Sequence, residues 1–522
     1  MLDRLTGKPV HLYIHLFSCA LLAAGLTSSK IPLSLGTMLG ILNLLLEADF
    51  RKYGRRLKAN RIAWGLWAYI VVQLLSLLWT TDWEYASHDL RVKLPLYVIP
   101  LFMVCKPITE RRHYLLLTGL FLAALFVTSF INMGSYQHWW GNKVYDDIRG
   151  LSLFGSHIRY SLMIVMGIVL CVEWIRQRLP YRLIPVILIG WWLWYANFSQ
   201  ILSGYLALGM VILISLLLTV ATLKNRAVKL SLLFTALLVL LGGTWLTVDF
   251  MKPLPHRIVM HHLPQYTEKG GWYRHDTVNP GWENGYPIVA FINDEELASA
   301  WNAVSPIDYY SGLDGKKQYL SYTLWSYMAS KGLRKDSVGF TALTAKDVTY
   351  VEKGVASVNL TKGGMESRLY SLKHQLEHPE NPNGHSLLQR FQYWKAGSHI
   401  IERNWLMGVG AGDVQKAFNE YYTSSKTSLL KELQLRSHNQ YMTSWISAGI
   451  AGLVTFLFWW IGFFRFSWRN RNYVSICFAI IAMSSFLIED TIETQMGVTF
   501  IAFFYGLLVS VPNLISDPKR RK

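Results

Sequence analysis

Charged residues are scarce in this chain. Asp, Glu, Lys and Arg make up 16% of the 522 residues, while hydrophobic residues reach 52%. That shortage excludes a string of ordinary soluble domains and fits a protein that crosses a bilayer many times. Cysteine is nearly absent too. Cys19, Cys105, Cys171 and Cys477 all fall in apolar runs and no CxxC pair exists, which excludes a zinc ribbon, a thioredoxin-like site and a disulfide framework. Neither glycine (38) nor proline (17) is abundant enough for a collagen-like or low-complexity chain. No Ala-x-Ala cleavage pattern follows the first apolar run, so residues 11 to 28 read as a retained span.

What is present is a series of apolar runs, each near the twenty or so residues that a helix needs to cross a bilayer. Twelve are found, centred near residues 20, 38, 71, 98, 123, 167, 191, 211, 239, 451, 481 and 504. Lys and Arg cluster in every second connection, as the positive-inside rule requires of cytoplasmic loops. The densest cluster, Arg51 to Arg61, holds six of them. The others are Arg111 and Arg112; Arg176, Arg178 and Arg182; Lys224, Arg226 and Lys229; Arg465, Arg469 and Arg471; and Lys519 to Lys522. Both termini are therefore expected inside, and the 189 residues of 249–437 outside. The net charge of +18 divides unevenly. The long loop carries 21 Lys plus Arg against 19 Asp plus Glu, or +2, which leaves +16 for the spans and short connections. Most of the positive charge thus records topology, and a nucleic-acid partner loses its support.

The expected organisation is nine spans in 1–248, an external domain in 249–437, three spans in 438–514 and a basic cytoplasmic tail in 515–522. Within the external domain the first part is rich in aromatics, Pro and Gly and reads as compact and irregular. Helical periodicity appears at Leu320 to Leu333 and again from Ser386 to about Arg403, after a break at Pro379 to Gly384.

The most informative string opens the tenth span: His438, Asn439, nine residues, Gly449, two residues, Gly452. On a straight helix His438, Trp445, Gly449 and Gly452 share one stripe, with the histidine at the outer water layer and the glycines forming a packing notch for a neighbouring helix. By geometry alone this is an interfacial histidine above a notch. The spacing also resembles that of the O-antigen ligase family, whose motif is His, then Asn, Ser or Gln, nine residues, and Gly-x-x-Gly. Arg390 and Trp394, followed by Gly408, Val409, Gly410, Ala411 and Gly412, resemble the family's Arg-x-x-x-Trp and GxGxG stretch. The resemblance implies an all-α polytopic membrane protein of about twelve transmembrane helices. One large, mainly helical periplasmic domain would lie between the ninth and tenth spans. It further implies metal-independent, inverting transfer of a glycan from undecaprenyl diphosphate, without a cofactor, at the outer face of the bacterial inner membrane. The acceptor is a lipid A-core sugar in ligases, a growing glycan in polymerases and a protein hydroxyl in O-oligosaccharyltransferases.

Imidazole changes charge closest to neutrality among side chains, which makes His438 the candidate general base, with Asn439 beside it on the substrate. A diphosphate leaving group calls for fixed positive charge, and Arg390 is the motif-supported candidate, with Trp394 as a further contact. Arg159, Arg91 and Lys93, together with Arg149, lie at outward ends of spans against the positive-inside trend, and Arg159 ranks first among them. One departure from the family stands out: where ligases carry a Ser-Arg pair, this chain reads Ser203, Gly204, Tyr205. Glu489, Asp490 and Glu493 are expected as solvated turn carboxylates, with Glu489 or Asp490 able to pair with a site arginine. His256, His261 and His262 lack a carboxylate or cysteine at metal-ligand spacing, so no metal site is assigned. A transporter of lipid-linked sugars is the non-enzyme alternative. It calls for ionisable residues near the bilayer midplane, where these spans have few.

Overall fold

The computed structural model describes residues 9–140, 145, 148–179, 181–362, 364–377 and 382–511. The expected tail 515–522 and the side chain of Arg149 lie outside these. Every one of the twelve apolar runs is helical. In chain order the helices are α1 (Val10–Ser28), α2 (Lys30–Glu47), α3 (Phe50–Ala59), α4 (Ala63–Leu75), α5 (Trp83–Cys105), α6 (Arg111–Tyr136), α7 (His157–Arg176), α8 (Leu183–Ser199), α9 (Leu202–Thr222) and α10 (Arg226–Met251). There follow α11 (Asp294–Asn302), α12 (Leu320–Ser330), α13 (Ser337–Thr341), α14 (Ala345–Glu352), α15 (Gly364–Glu377), α16 (Ser386–Asn404) and α17 (Val414–Ser424). The last are α18 (Gln440–Arg469), α19 (Tyr473–Ile488) and α20 (Gln495–Ser510). Among the described residues, seven helices have the length and apolarity to cross a bilayer: α1, α2, α6, α7, α9, α10 and α18. An eighth is obtained if α3 and the helix after it, bent by 102°, count as one span. Helices α8, α19 and α20 are apolar but shorter, and α5 is long but carries Asp89, Arg91 and Lys93. The chain is thus an all-α, polytopic membrane protein with a large helical part outside these spans.

Two compact units are distinguished. The first comprises Met1–Thr222, Arg390–Thr427 and Gln434–Lys522; the second comprises Leu223–Gln389 and Ser428–Leu433. The boundary falls inside α16, so Arg390 and the segment after it belong with the membrane helices. In the first unit, Trp459, Trp460, Phe463, Phe478 and Tyr505 are fully buried together. Their rings meet at centroid distances of 4.9 to 6.3 Å, mostly tilted or edge to face, the arrangement that aromatic quadrupoles favour. Gly65 lets α4 approach α18, since a Cβ there would stand 2.7 Å from Trp459 Cα.

The second unit is built on short capped helices. Asn293 accepts from Glu296 N, Asp336 from Gly339 N, and Thr344 with Asp347 forms a capping box. These fix α11, α13 and α14 around Leu297, Trp301, Leu324, Tyr327, Met328 and Val351. The irregular region before them contains a two-stranded hairpin, β1 (Trp282–Glu283) and β2 (Tyr286–Pro287), turned by Asn284 and Gly285, both at positive φ. The aromatics of this region divide: Tyr273, Trp301 and Tyr309 are buried, whereas Trp272 and Tyr310 are exposed.

The tenth span differs from the expected straight helix. Ala448 and Gly449 leave helical geometry, and Gly449 (φ 62°, ψ −159°) occupies a region open essentially to glycine alone. The helix doubles back at this break. Tyr441 and Phe456 would lie about 22 Å apart along a straight helix, yet their ring centroids are 5.5 Å apart. His438, at φ 46°, precedes the helix N-cap Asn439. The stripe of His438, Trp445, Gly449 and Gly452 therefore does not exist, and the notch admits no neighbouring helix. A Cβ on Gly449 would meet Leu406 O at 2.0 Å, and one on Gly452 would meet Ser444 O of its own doubled-back helix at 2.2 Å. What fills the break is the Gly408–Gly412 loop. Val409 N donates to Ile446 O (2.8 Å) and Gly410 N to Ser447 O (3.0 Å), taking up carbonyls that the broken helix releases.

Candidate functional site

The doubled-back helix brings His438 beside the turn between α19 and α20. Glu489, the first residue of that turn, is almost wholly buried. Its Oε1 accepts from Arg390 Nη2 at 2.9 Å, while Oε2 faces His438 Nδ1 at 3.4 Å and Arg159 Nη2 at 3.5 Å. Arg390 is fixed a second time, donating from Nε to Ile488 O at 3.1 Å. Burial would push the Glu489 carboxyl up, but the hydrogen bond and charge of His438 and the charges of Arg159 and Arg390 outweigh it and hold the pKa below its ordinary 4.5. The Tyr393 ring lies 5.4 Å from the His438 ring, one turn of α16 beyond Arg390.

A second buried group adjoins the first. Glu493 Oε2 meets Lys93 Nζ at 3.0 Å and Arg436 Nη1 at 3.3 Å, and its Oε1 accepts from Gln440 Nε2 at 2.9 Å. Lys93 also pairs with Asp89 at 2.8 Å. Asp490 Oδ1 accepts from Thr443 Oγ1 at 3.0 Å and from Ser437 Oγ at 3.4 Å. Burial opposes the Glu493 charge, yet Lys93, Arg436 and the Gln440 amide keep its pKa well below the ordinary value. Arg436, buried against Glu493 and Asp490, is held above its own.

The acidic turn is thus not solvated: all three carboxylates are buried, Glu489 and Glu493 in ion pairs and Asp490 in hydrogen bonds, and Glu489 is the group that gathers the histidine and two arginines. Four carboxylates (Asp89, Glu489, Asp490, Glu493) match four cations (Lys93, Arg159, Arg390, Arg436). An incoming anion must compete with Glu489 for Arg390 and Arg159. Among the described residues, no three His, Cys, Asp or Glu side chains are grouped as metal ligands.

Of the residues singled out from sequence, His438, Arg390 and Arg159 meet at Glu489, and Lys93 lies in the adjoining group. Asn439 is engaged at both ends of its amide, accepting from Met442 N and donating to Leu487 O, each at 3.1 Å, so it caps the helix and ties it to α19. Trp394 is half-buried on α16, edge-on to Phe391. Arg91 stands apart, exposed on α5, and among the described residues it donates only to Ser87 O of its own helix. Arg436, Asp89 and Gln440 were not anticipated. Arg436 sits two residues before His438, but it lies in a long loop where basic residues are ordinary.

At the departure from the family pattern, Gly204 leaves no room for a side chain. A Cβ there would stand 2.8 Å from Ser161 Cβ on α7, two residues past Arg159. Among the described residues, the buried Arg159 Nε has no hydrogen-bond partner. Beside it lies a pocket of about 190 Å³, lined among others by Lys30, Ser156, Arg159, Thr494 and Gln495.

The family model described as O-antigen ligase matches residues 354–457, a stretch that includes Arg390, Trp394, the Gly408–Gly412 loop, His438, Gly449 and Gly452. No curated protein matches the chain.

Proposed function

We propose, from the match of residues 354–457 to the O-antigen ligase family model, that the chain is a glycosyltransferase of the bacterial inner membrane. It moves a glycan from undecaprenyl diphosphate to a hydroxyl of a lipid A-core sugar at the periplasmic face. The observation that carries this reading is the convergence of His438, Arg390 and Arg159 on the carboxylate of Glu489.

With Nδ1 turned to Glu489, the His438 ring is oriented and Nε2 is the nitrogen that takes the proton of the acceptor hydroxyl. The acceptor oxygen bonds to the anomeric carbon as the bond from that carbon to the diphosphate breaks. The electron pair leaves with the diphosphate, and one displacement inverts the centre. Arg390 and Arg159 stabilise the charge that develops on the diphosphate, which competes with Glu489 for them. The orphaned Nε of Arg159 supports this role, because a buried donor without an acceptor calls for one. The pocket beside it has room for a phosphoryl group. Position 204 cannot hold the family arginine, and Arg159, two residues before the Ser161 that occupies its space, supplies the cation instead.

The test is lipopolysaccharide from a strain lacking the gene, complemented with wild type or with His438→Ala. A ligase predicts loss of glycan-capped species and accumulation of the polyprenyl-linked glycan, with His438→Ala slowing transfer by about 10² to 10⁴-fold. A core bearing a single repeat points to a polymerase, and unchanged capping with glycans missing from protein points to an oligosaccharyltransferase. Full capping by His438→Ala removes the general base.

A further inference from the structure

We infer that the loop tip Trp405–Leu406–Met407, which follows α16, is inserted among the acyl chains of the outer leaflet. It thereby forms a membrane contact outside all the expected spans. Its three side chains are each 55% exposed, side by side at the point where the chain leaves α16. An apolar group of this kind on a water-facing loop is costly, whereas in acyl chains it is favourable.

Backbone in a bilayer must find its hydrogen bonds within the protein, and here the break in α18 supplies them. Trp405 O accepts from Ile450 N and from Trp445 Nε1, both at 2.9 Å, and Gly408 N donates to Asn404 O at 2.8 Å. With Val409 and Gly410 bonded to the carbonyls of Ile446 and Ser447, loop and broken helix satisfy each other.

Depth follows from helix arithmetic. Going inward along α18, which ends at Arg469, the first charged residue is Arg465, and Ile450, bonded to Trp405, lies fifteen residues further out, or about 22 Å at 1.5 Å per residue. The hydrocarbon layer is about 30 Å thick, so the tip falls inside its outer part, and any tilt of α18 lowers it further. On the same helix Val454 and Phe458 continue the exposed apolar face inward.

The test uses the full chain in lipid nanodiscs with Met407→Cys carrying a nitroxide label. The native cysteines are all buried, so the introduced thiol is the one that reacts. Collision rates with oxygen and with a water-soluble nickel chelate give depth. The expected result is high oxygen and low nickel accessibility, matching a label at Phe458→Cys and opposite to one at Tyr310→Cys. Nickel accessibility like that at Tyr310 overturns the inference. So does spin–spin broadening that disappears on dilution with unlabelled protein, which would mean that a second copy covers the tip. If Met407→Cys does not fold, Leu406→Cys serves with the same outcomes.

Discussion

Glu489 binds a candidate base and two candidate anion-binding arginines at once, so its charge is the most exposed single point of the site to substitution. Glu489→Gln keeps the shape and removes the charge. Transfer is expected to fall about 10 to 100-fold, the usual cost of losing an outer orienting partner, with the loss in kcat and the protein still folded. Steady-state transfer to purified core acceptor measures it, and unchanged kcat would remove Glu489 from the mechanism. The same carboxylates set an acid limit. Glu489 and Glu493 both have folded pKa values below the ordinary 4.5, Glu493 down to about 2. Their contribution to stability is therefore complete above pH 4.5 and is lost as pH falls toward about 2. Melting temperature in detergent should stay level from pH 7 to 5 and drop below 4.5. Glu493→Gln should destabilise the fold by about 3 kcal/mol, which lowers the plateau, and should flatten the acid limb.

At the scale of elements, the break in α18 decides what the site is. A straight helix would carry His438 about 16 Å beyond Gly449 and away from Glu489; the reversal at Ala448 and Gly449 returns it. Gly449→Ala is expected to cost about 3 kcal/mol or more, from a glycine-only backbone region and a clash with Leu406 O. It should appear as a lower melting temperature together with lost transfer. Gly462→Ala, in open space on the same helix, should leave the melting temperature level or raised. Equal behaviour of the two variants would mean that the break is dispensable. The spacing His, nine residues, Gly-x-x-Gly was plain in the chain, but its purpose was not. Periodicity assigns a face to each residue only while the helix continues, and the partner that stabilises the break, the Gly408–Gly412 loop, lies some forty residues away.

For the whole molecule, the distribution of Lys and Arg leads us to propose an orientation with both ends inside and 249–437 outside. Alkaline phosphatase fused after residue 312 should be active in cells, whereas fusions after 58 and 226 should be inactive and a fluorescent protein there should glow. Reversal of these activities would overturn the orientation and, with it, a periplasmic site. The segment 249–437 does not fold as the single piece that its length suggests, since Arg390–Thr427 belongs to the first compact unit while Leu223–Gln389, which includes α10, and Ser428–Leu433 form the second.

The sequence by itself determined the membrane class and the positions of the apolar helices, and it singled out His438, Arg390, Arg159 and Lys93, which the structure brings to buried carboxylates. Hydropathy and topological charge are local quantities, and cations at ends expected to face outward depart from a rule that is applied residue by residue. It did not determine the state of the acids. Whether Glu489, Asp490 and Glu493 are solvated or buried depends on which cations reach them, and those come from α5, α7, α16 and the segment before α18. Only the tertiary structure decided that, because a buried carboxylate and a solvated one are written with the same letter and differ only in their neighbours.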